Sequence, residues 1–264
     1  MQDIPPAELV RIKQGSRWLW SQGDYPAIAR LLQAPAVDLA NRVVSRGQRV
    51  LDVAAGDGNF ALAAASRGAE VTATDFSPRM VELGRARSEA AGAAIAWQEA
   101  DAEALPFAAG AFDVAASVFG AIFAPQPELV ARELFRVVRP GGAVAMVNYA
   151  GGYFQRLSDL LGGFSTSPAP RLPSPFLWGD EAAVRERFAP YAASVEFRRG
   201  RLLVAFDSLD DWRARFAAVN PPLQGMKAML PAPVYEGLER DAWVLLEEGA
   251  DSDYLVVVAT SPRG

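Results

Sequence analysis

Between residues 49 and 149, short apolar runs alternate with amphipathic ones at a regular spacing. The apolar runs read as strands at 49–53, 70–75, 94–98, 112–118 and 143–149, and the amphipathic segments as helices at 59–67, 78–91 and 127–138. Strands separated by helix-length segments form βαβ units, whose crossover connections make neighbouring strands parallel. The turn signals fit: Arg67-Gly68 closes one helix, and Arg139-Pro140-Gly141-Gly142 stops another before the next strand. Upstream, residues 8–44 carry a helical pattern broken at Gly23-Asp24-Tyr25-Pro26. Downstream the regularity fails. Residues 150–178 hold glycines, serines and prolines among Phe154, Phe164, Phe176 and Trp178, the composition of a long irregular insertion that serves as a mobile lid. Strand pattern returns at 195–205 and 254–260, with helices at 209–219 and 234–247 between. The expectation is an α/β fold with a doubly wound, mostly parallel sheet of seven strands. Residues 1–48 would form an N-terminal helical lid and 49–149 the core. Residues 150–190 and 207–250 would form a cap, and 191–206 and 251–264 the final strands.

Composition narrows the function. The chain of 264 residues is 51% hydrophobic and 22% charged, ordinary globular material. A formal charge of −5 leaves no basic face to displace counterions from nucleic acid. The cluster Arg198, Arg199, Arg201 reads as a solvated strand edge. With no cysteine, disulfides, thiolate nucleophiles and cysteine-ligated metals are excluded; with no histidine, the usual near-neutral base and the commonest metal ligand are missing too. No metal site is expected. The opening residues lack a signal-peptide core, and no apolar segment approaches the roughly 20 residues of a membrane helix, so a cytoplasmic protein without a membrane span is expected. An oligomer is compatible with this composition.

The stretch RVLDVAAGDGNF, Arg49 to Phe60, ends a strand in an acid and then turns on glycines. Three ligands compete for such a turn. A phosphate loop needs lysine followed by serine or threonine, and lysine occurs only at Lys13 and Lys227. A nicotinamide dinucleotide is the stronger rival, because Gly56 to Ala61 satisfies G-x-G-x-x-G/A and Asp75 follows about 20 residues on. Against it stands Asp52, whose carboxylate would repel a pyrophosphate. S-adenosylmethionine has a ribose and adenine but no phosphate, and its ammonium and sulfonium welcome an acid.

Asp52-Val53-Ala54-Ala55-Gly56-Asp57-Gly58 resembles the first motif of class I S-adenosylmethionine-dependent methyltransferases, with Ala54 in place of the commoner first glycine. Asp75 is similar to the family acid that holds both ribose hydroxyls. Asp101-Ala102-Glu103 resembles the acidic loop that meets the adenine amino group. Phe112-Asp113-Val114 and Arg139-Pro140-Gly141-Gly142 complete the order of motifs. The ends, with Trp18, Trp20, Gly23-Asp24-Tyr25 and later Leu177-Trp178-Gly179, resemble a small-molecule branch related to ubiquinone and menaquinone methyltransferases. The resemblance implies a Rossmann-like fold, S-adenosylmethionine as cofactor and a small-molecule acceptor. Gly56 and Gly58 would let the cofactor lie against the main chain, Phe76 and Met80 would sandwich the adenine with Ala102, and Val118 and Phe119, at the exit of the fourth strand, would also bind the cofactor. Tyr25 would close over the methionine end.

Methyl transfer from a sulfonium is an in-line displacement that alignment and water exclusion accelerate. Without histidine, either the acceptor is already nucleophilic or a carboxylate or tyrosine takes its proton. The exit of the fourth strand, Ser117-Val118-Phe119-Gly120, lacks the N-P-P-Y pattern of enzymes acting on amide or nucleobase nitrogens. Phe123, Asn148, Tyr149, Trp178 and Phe216 are the candidate acceptor-binding residues. The aromatic and methionine side chains Phe154, Phe164, Phe176, Trp212, Met226 and Met229 suit an apolar molecule. A descendant that binds the cofactor without methylating, as a regulator or pericyclase, remains the alternative.

Overall fold

The computed structural model describes residues 4–164 and 172–263. Three helices open the chain: α1 (Pro6–Trp20), α2 (Tyr25–Ala29) and α3 (Gln33–Val43). The core follows as β1 (Arg49–Val53), α4 (Asn59–Ser66), β2 (Glu70–Asp75), α5 (Pro78–Ala90), β3 (Ile95–Glu99), β4 (Phe112–Val118), α6 (Pro127–Val137) and β5 (Val138–Tyr149). The remainder is α7 (Tyr153–Gly162), α8 (Glu181–Phe188), β6 (Ser194–Leu203), α9 (Leu209–Trp212), α10 (Pro221–Met229), α11 (Ala232–Glu248) and β7 (Asp251–Thr260). The seven strands form one sheet in the order β3-β2-β1-β4-β5-β7-β6. The pairs from β3 through β5 are parallel, and β7 runs antiparallel between β5 and β6. This is the mostly parallel, Rossmann-like sheet expected.

Both faces of the sheet are covered, which is why its central strands read as continuous apolar runs. Leu51, Val144 and Met146 point to α6 and α8 on one side, and Val50, Ala145 and Val147 to α3 and α4 on the other. A third apolar body lies apart from the sheet, built by Tyr153 and Leu157 of α7, Trp212, Phe216, Leu223 of α10 and Leu238 of α11.

Three segments differ from the sequence reading. β5 begins at Val138, and the Arg139–Gly142 turn is an irregularity inside it, where pairing with β4 jumps from Phe112–Val138 to Val114–Ala143. The insertion begins with a regular helix, α7, because Tyr153, Leu157 and Leu161 recur every four residues and are all buried. The part of the insertion at 165–171 lies outside the described residues. The predicted helix at 209–219 is the short α9 followed by a π-helical turn at Arg213–Ala217. The next element, α10, starts at Pro221-Pro222. Those prolines occupy the first turn of a helix, where proline is tolerated, and Asn220 caps it by accepting from Leu223 N–H at 3.1 Å. No described helix is long and apolar enough to cross a membrane.

Candidate active site

The strand order reverses between β1 and β4, and beyond the carboxyl ends of those strands an open α/β sheet offers a crevice. Here it is a cleft of about 730 Å³. Its floor is the turn after β1, where Ala54, Gly56 and Gly58 all take left-handed φ values of 54°, 57° and 95°. Ala54 comes so close to the loop after β4 that a Cβ on Gly120 would collide with its carbonyl oxygen. Gly58 opens α4, and Asp52, buried beneath, accepts the N–H of Ala61 in the first helical turn at 2.9 Å. That bond satisfies one of the amides a helix start leaves without partners.

The other oxygen of Asp52, Oδ1, has no hydrogen-bond partner among the described residues. It borders a small acidic niche beside the cleft, about 280 Å³, together with Tyr25, Asp57, Asn59 and Val118. Asn59 Oδ1 is likewise buried with no donor among the described residues. Burial, and then the nearby Asp75 charge, push the Asp52 carboxyl well above its ordinary range. Two bare acceptors beside a carboxylate call for a donor or a cation.

Asp75 ends β2 on the cleft wall. Its Oδ2 accepts the N–H of Gly56 and its Oδ1 that of Ser77, each at 2.9 Å, so each oxygen keeps a lone pair for a further donor. Burial raises its pKa to about 6, against the pull of those amide hydrogen bonds. Phe76, Met80, Asp101 and Ala102 line the same wall. Asp101 Oδ1 accepts the N–H of Glu103 at 2.9 Å, and its Oδ2 meets Lys13 Nζ at 2.5 Å.

A second, larger hollow of about 1380 Å³ adjoins the cleft and shares Ser16, Trp20, Tyr25, Phe119 and Phe123 with it. Phe119, at φ 56°, stacks on Tyr149 with ring centroids 4.4 Å apart. The far wall comes from α7 (Phe154, Leu157, Leu161), from Phe176 and from Met226 of α10. Among the described residues lining it, none carries a charge.

The profile of the methyltransferase domain family matches residues 50–142. An uncharacterized protein of Mycobacterium tuberculosis is 37% identical over 222 residues, spanning 82% of this chain and 81% of that protein. A demethylmenaquinone methyltransferase of Thermus thermophilus is 37% identical over 161 residues, 49% of this chain and 73% of that enzyme. The chain belongs to the class I S-adenosylmethionine-dependent methyltransferases. The YcgJ protein of Bacillus subtilis shares the fold of this methyltransferase, with a TM-score of 0.64 over 88% of this chain and 100% of that one at 17% identity. S-adenosylmethionine is the cofactor of the family, and the cleft suits it: two bare acceptors stand beside one end, and an acid with spare lone pairs stands at the middle.

The structure of the methyltransferase brings most of the expected residues together. Tyr25, Ala54, Gly56, Asp75, Phe76, Met80, Asp101, Ala102, Phe119 and Phe123 line the cleft, and Asp52 and Val118 line the niche. Others stand elsewhere. Gly58 lines neither hollow, and a Cβ there would meet the Trp97 ring at 2.8 Å, so the space a side chain would take is filled by the core. Glu103 is buried behind the cleft, where it accepts from the N–H of Gln126 at 2.7 Å and braces the loop against α6. Asn148 is fully buried and donates to the Trp178 carbonyl at 2.9 Å, tying the turn at Pro175–Gly179 to β5. Trp178 and Phe216 border neither hollow. Trp178 fills the core beside Phe188, and Phe216 fills the cap among Tyr153, Phe154 and Trp212. Both are too completely enclosed to touch an acceptor. Lys13, Ser16 and Trp20 of α1 were missed. Their spacing of three, four and seven residues puts them on one helix face, a signal present in the sequence but not distinguishable there from an ordinary amphipathic stripe.

Proposed function

We propose that this methyltransferase transfers a methyl group to a small, uncharged, largely apolar molecule by positioning alone, without a side-chain base. The carrying observation is the large hollow that shares Trp20, Tyr25, Phe119 and Phe123 with the cofactor cleft and has no charged lining among the described residues. A charged acceptor would lose its hydration there without a partner, at a cost of several kcal/mol or more, about. Its tyrosines offer no base: burial pushes Tyr149 up, and burial followed by the charges of Asp57 and Asp75 pushes Tyr25 well up, so both hydroxyls stay protonated donors. The acceptor must therefore bring its own neutral lone pair or electron-rich carbon and, once methylated, lose any proton to solvent; Tyr149 and Phe119 would orient it.

S-adenosylmethionine supplies the electrophilic methyl group on its sulfonium. Asp75 would accept from both ribose hydroxyls, Phe76 and Met80 would pack on the adenine, Asp101 and Ala102 would meet its polar edge, and the niche at Asp52 would take the ammonium. Helix α1 and α2 on one side, and α7, α10 and α11 on the other, would act as the lid and cap that exclude water.

Two measurements test this. S-adenosylhomocysteine at 100 times its dissociation constant adds about 2.7 kcal/mol to stability, a melting shift of several degrees, whereas NAD and NADP should give none. Incubation with S-adenosylmethionine and a panel of neutral apolar acceptors should release S-adenosylhomocysteine with a matching gain of one methyl mass. Turnover confined to charged or macromolecular acceptors would sink the acceptor assignment. Conversion of a substrate without methyl gain would favour the non-methylating alternative.

A further inference from the structure

Helix α1 buries none of its 15 residues. It nevertheless walls both hollows, through Lys13, Ser16 and Trp20 on the cofactor cleft and Ser16, Leu19 and Trp20 on the acceptor cavity. Charge fastens it. Lys13 Nζ lies 2.5 Å from Asp101 Oδ2 and 2.5 Å from Glu103 Oε2, while Arg17 pairs with Glu99 and stands over the Phe76 ring at 4.3 Å. All three acidic partners belong to one stretch, residues 99–103, that leads from β3 into the adenine side of the cleft. The chain just past the C-terminal end of α1 is anchored. Arg79 of α5 donates to the carbonyl oxygens of Ser21 and Gly23, and Asp24 N–H donates to the Val219 carbonyl at 3.0 Å. A helix with no buried side chain, anchored just past its C-terminal end and held to residues 99–103 by ion pairs from its middle and last turn, opens locally at low cost.

We propose that Lys13 is a positioning residue for the cofactor: by bridging Asp101 and Glu103 it holds α1 closed over the adenine side of the cleft and fixes the Asp101 carboxylate toward the ligand. This rests on the cofactor placement given above. Among the described residues lining the cleft, Lys13 is the only basic one. Its ammonium separates two carboxylates that would otherwise repel, and Glu103 cannot turn away because Gln126 N–H and Nε2 also hold it. Burial works against the Lys13 charge, but the hydrogen bonds to Asp101 and Glu103 outweigh it and raise its pKa, so the bridge persists at neutral pH. Because the bridge is only partly buried, added salt screens it.

The test is release of S-adenosylhomocysteine from the full chain, followed by stopped-flow tryptophan fluorescence, with Trp18 and Trp20 on α1 as reporters. Lys13→Met should release the nucleoside about tenfold faster or more, and Lys13→Arg should stay within about threefold of the parent. Raising salt from about 50 mM to about 0.5 M should speed release from the parent severalfold and from Lys13→Met less, since only the Arg17–Glu99 pair is left there to screen. A Lys13→Met protein with the parental rate and salt response overturns the proposal. Should Lys13→Met melt early, Lys13→Gln carries the same test, since it keeps a polar group between the two carboxylates but removes the charge; an unchanged rate and salt response there overturns it too. A parent protein that binds no S-adenosylhomocysteine overturns the cofactor placement, and the latch with it, before any variant is compared.

Discussion

Asp75 is a carboxylic acid held above its ordinary range, at about 6. Folded Asp75 keeps a proton at pH values where an unfolded one, near 3.9, has lost it. Its contribution to the stability of the ligand-free protein therefore falls as pH rises from about 4 through 6. Ligand affinity runs the other way. Ribose hydroxyls donate to the ionised form, so affinity for S-adenosylhomocysteine should weaken below pH 6, by up to about tenfold per pH unit. Asp75→Asn should cut affinity roughly tenfold to a hundredfold, because hydrogen bonds to a charged group contribute about 1.5–3 kcal/mol, and should flatten that pH response. Asp113→Asn is the control: Asp113 accepts from Arg139 and from the Arg49 amide at the start of β4, outside the cleft. Calorimetry between pH 5 and 8 decides; an Asp75→Asn protein with parental affinity would put the cofactor elsewhere. Ala54 makes a second residue-scale case. A non-glycine residue at φ 54° costs about 1–2 kcal/mol, and glycine's extra unfolded-state entropy offsets about 0.4–1 of it. Ala54→Gly should therefore raise stability by up to about 1 kcal/mol in chemical denaturation, and a clear loss would show that the alanine methyl makes contacts worth more than its strain.

At the scale of elements, the same substitution should have opposite signs in two helices. Glycine inside a helix is worse than alanine by about 0.5–1 kcal/mol. In α1, Gly15 has open space where a Cβ would go, so Gly15→Ala should stabilise by about that amount. In α5, Gly84 lies against the Trp97 ring, which itself donates to Ser88 Oγ at 3.0 Å, and a Cβ would overlap the indole. Gly84→Ala should lose about 1–3 kcal/mol through overpacking. Denaturation curves for the two variants check both, and two gains would mean that Trp97 moves aside freely. Helix propensity predicts the first result; only the strand packed across from α5 predicts the second.

For the whole molecule, the consequence of two adjoining hollows is that each can be altered separately. Met226 lines the acceptor cavity and not the cleft. Met226→Lys should abolish binding of a neutral apolar dye such as Nile red and leave S-adenosylhomocysteine affinity within about threefold. Undiminished dye fluorescence in that variant would show that the cavity is not where apolar ligands go.

The order of strands and helices from 49 to 149 and many residues that line the cleft and its niche were legible in the sequence because both are local. Strand and helix periods repeat over a few residues, turns follow from glycine and proline chemistry, and Asp52, Gly56, Asp75, Asp101 and Phe119 each sit at the end of a strand that neighbouring residues define. The cap was not legible in the same way. Phe154, Phe176 and Met226 face the cavity while Trp178, Trp212 and Phe216 fill cores, yet all six are large apolar side chains in similar surroundings along the chain. Which of them is left uncovered depends on helices packed from α2 to α11, so burial and ligand contact have one composition and two outcomes. Lys13 is the extreme case: its partner Asp101 is 88 positions away, and no local pattern specifies an ion pair that exists only once α1 has folded back across the end of β3.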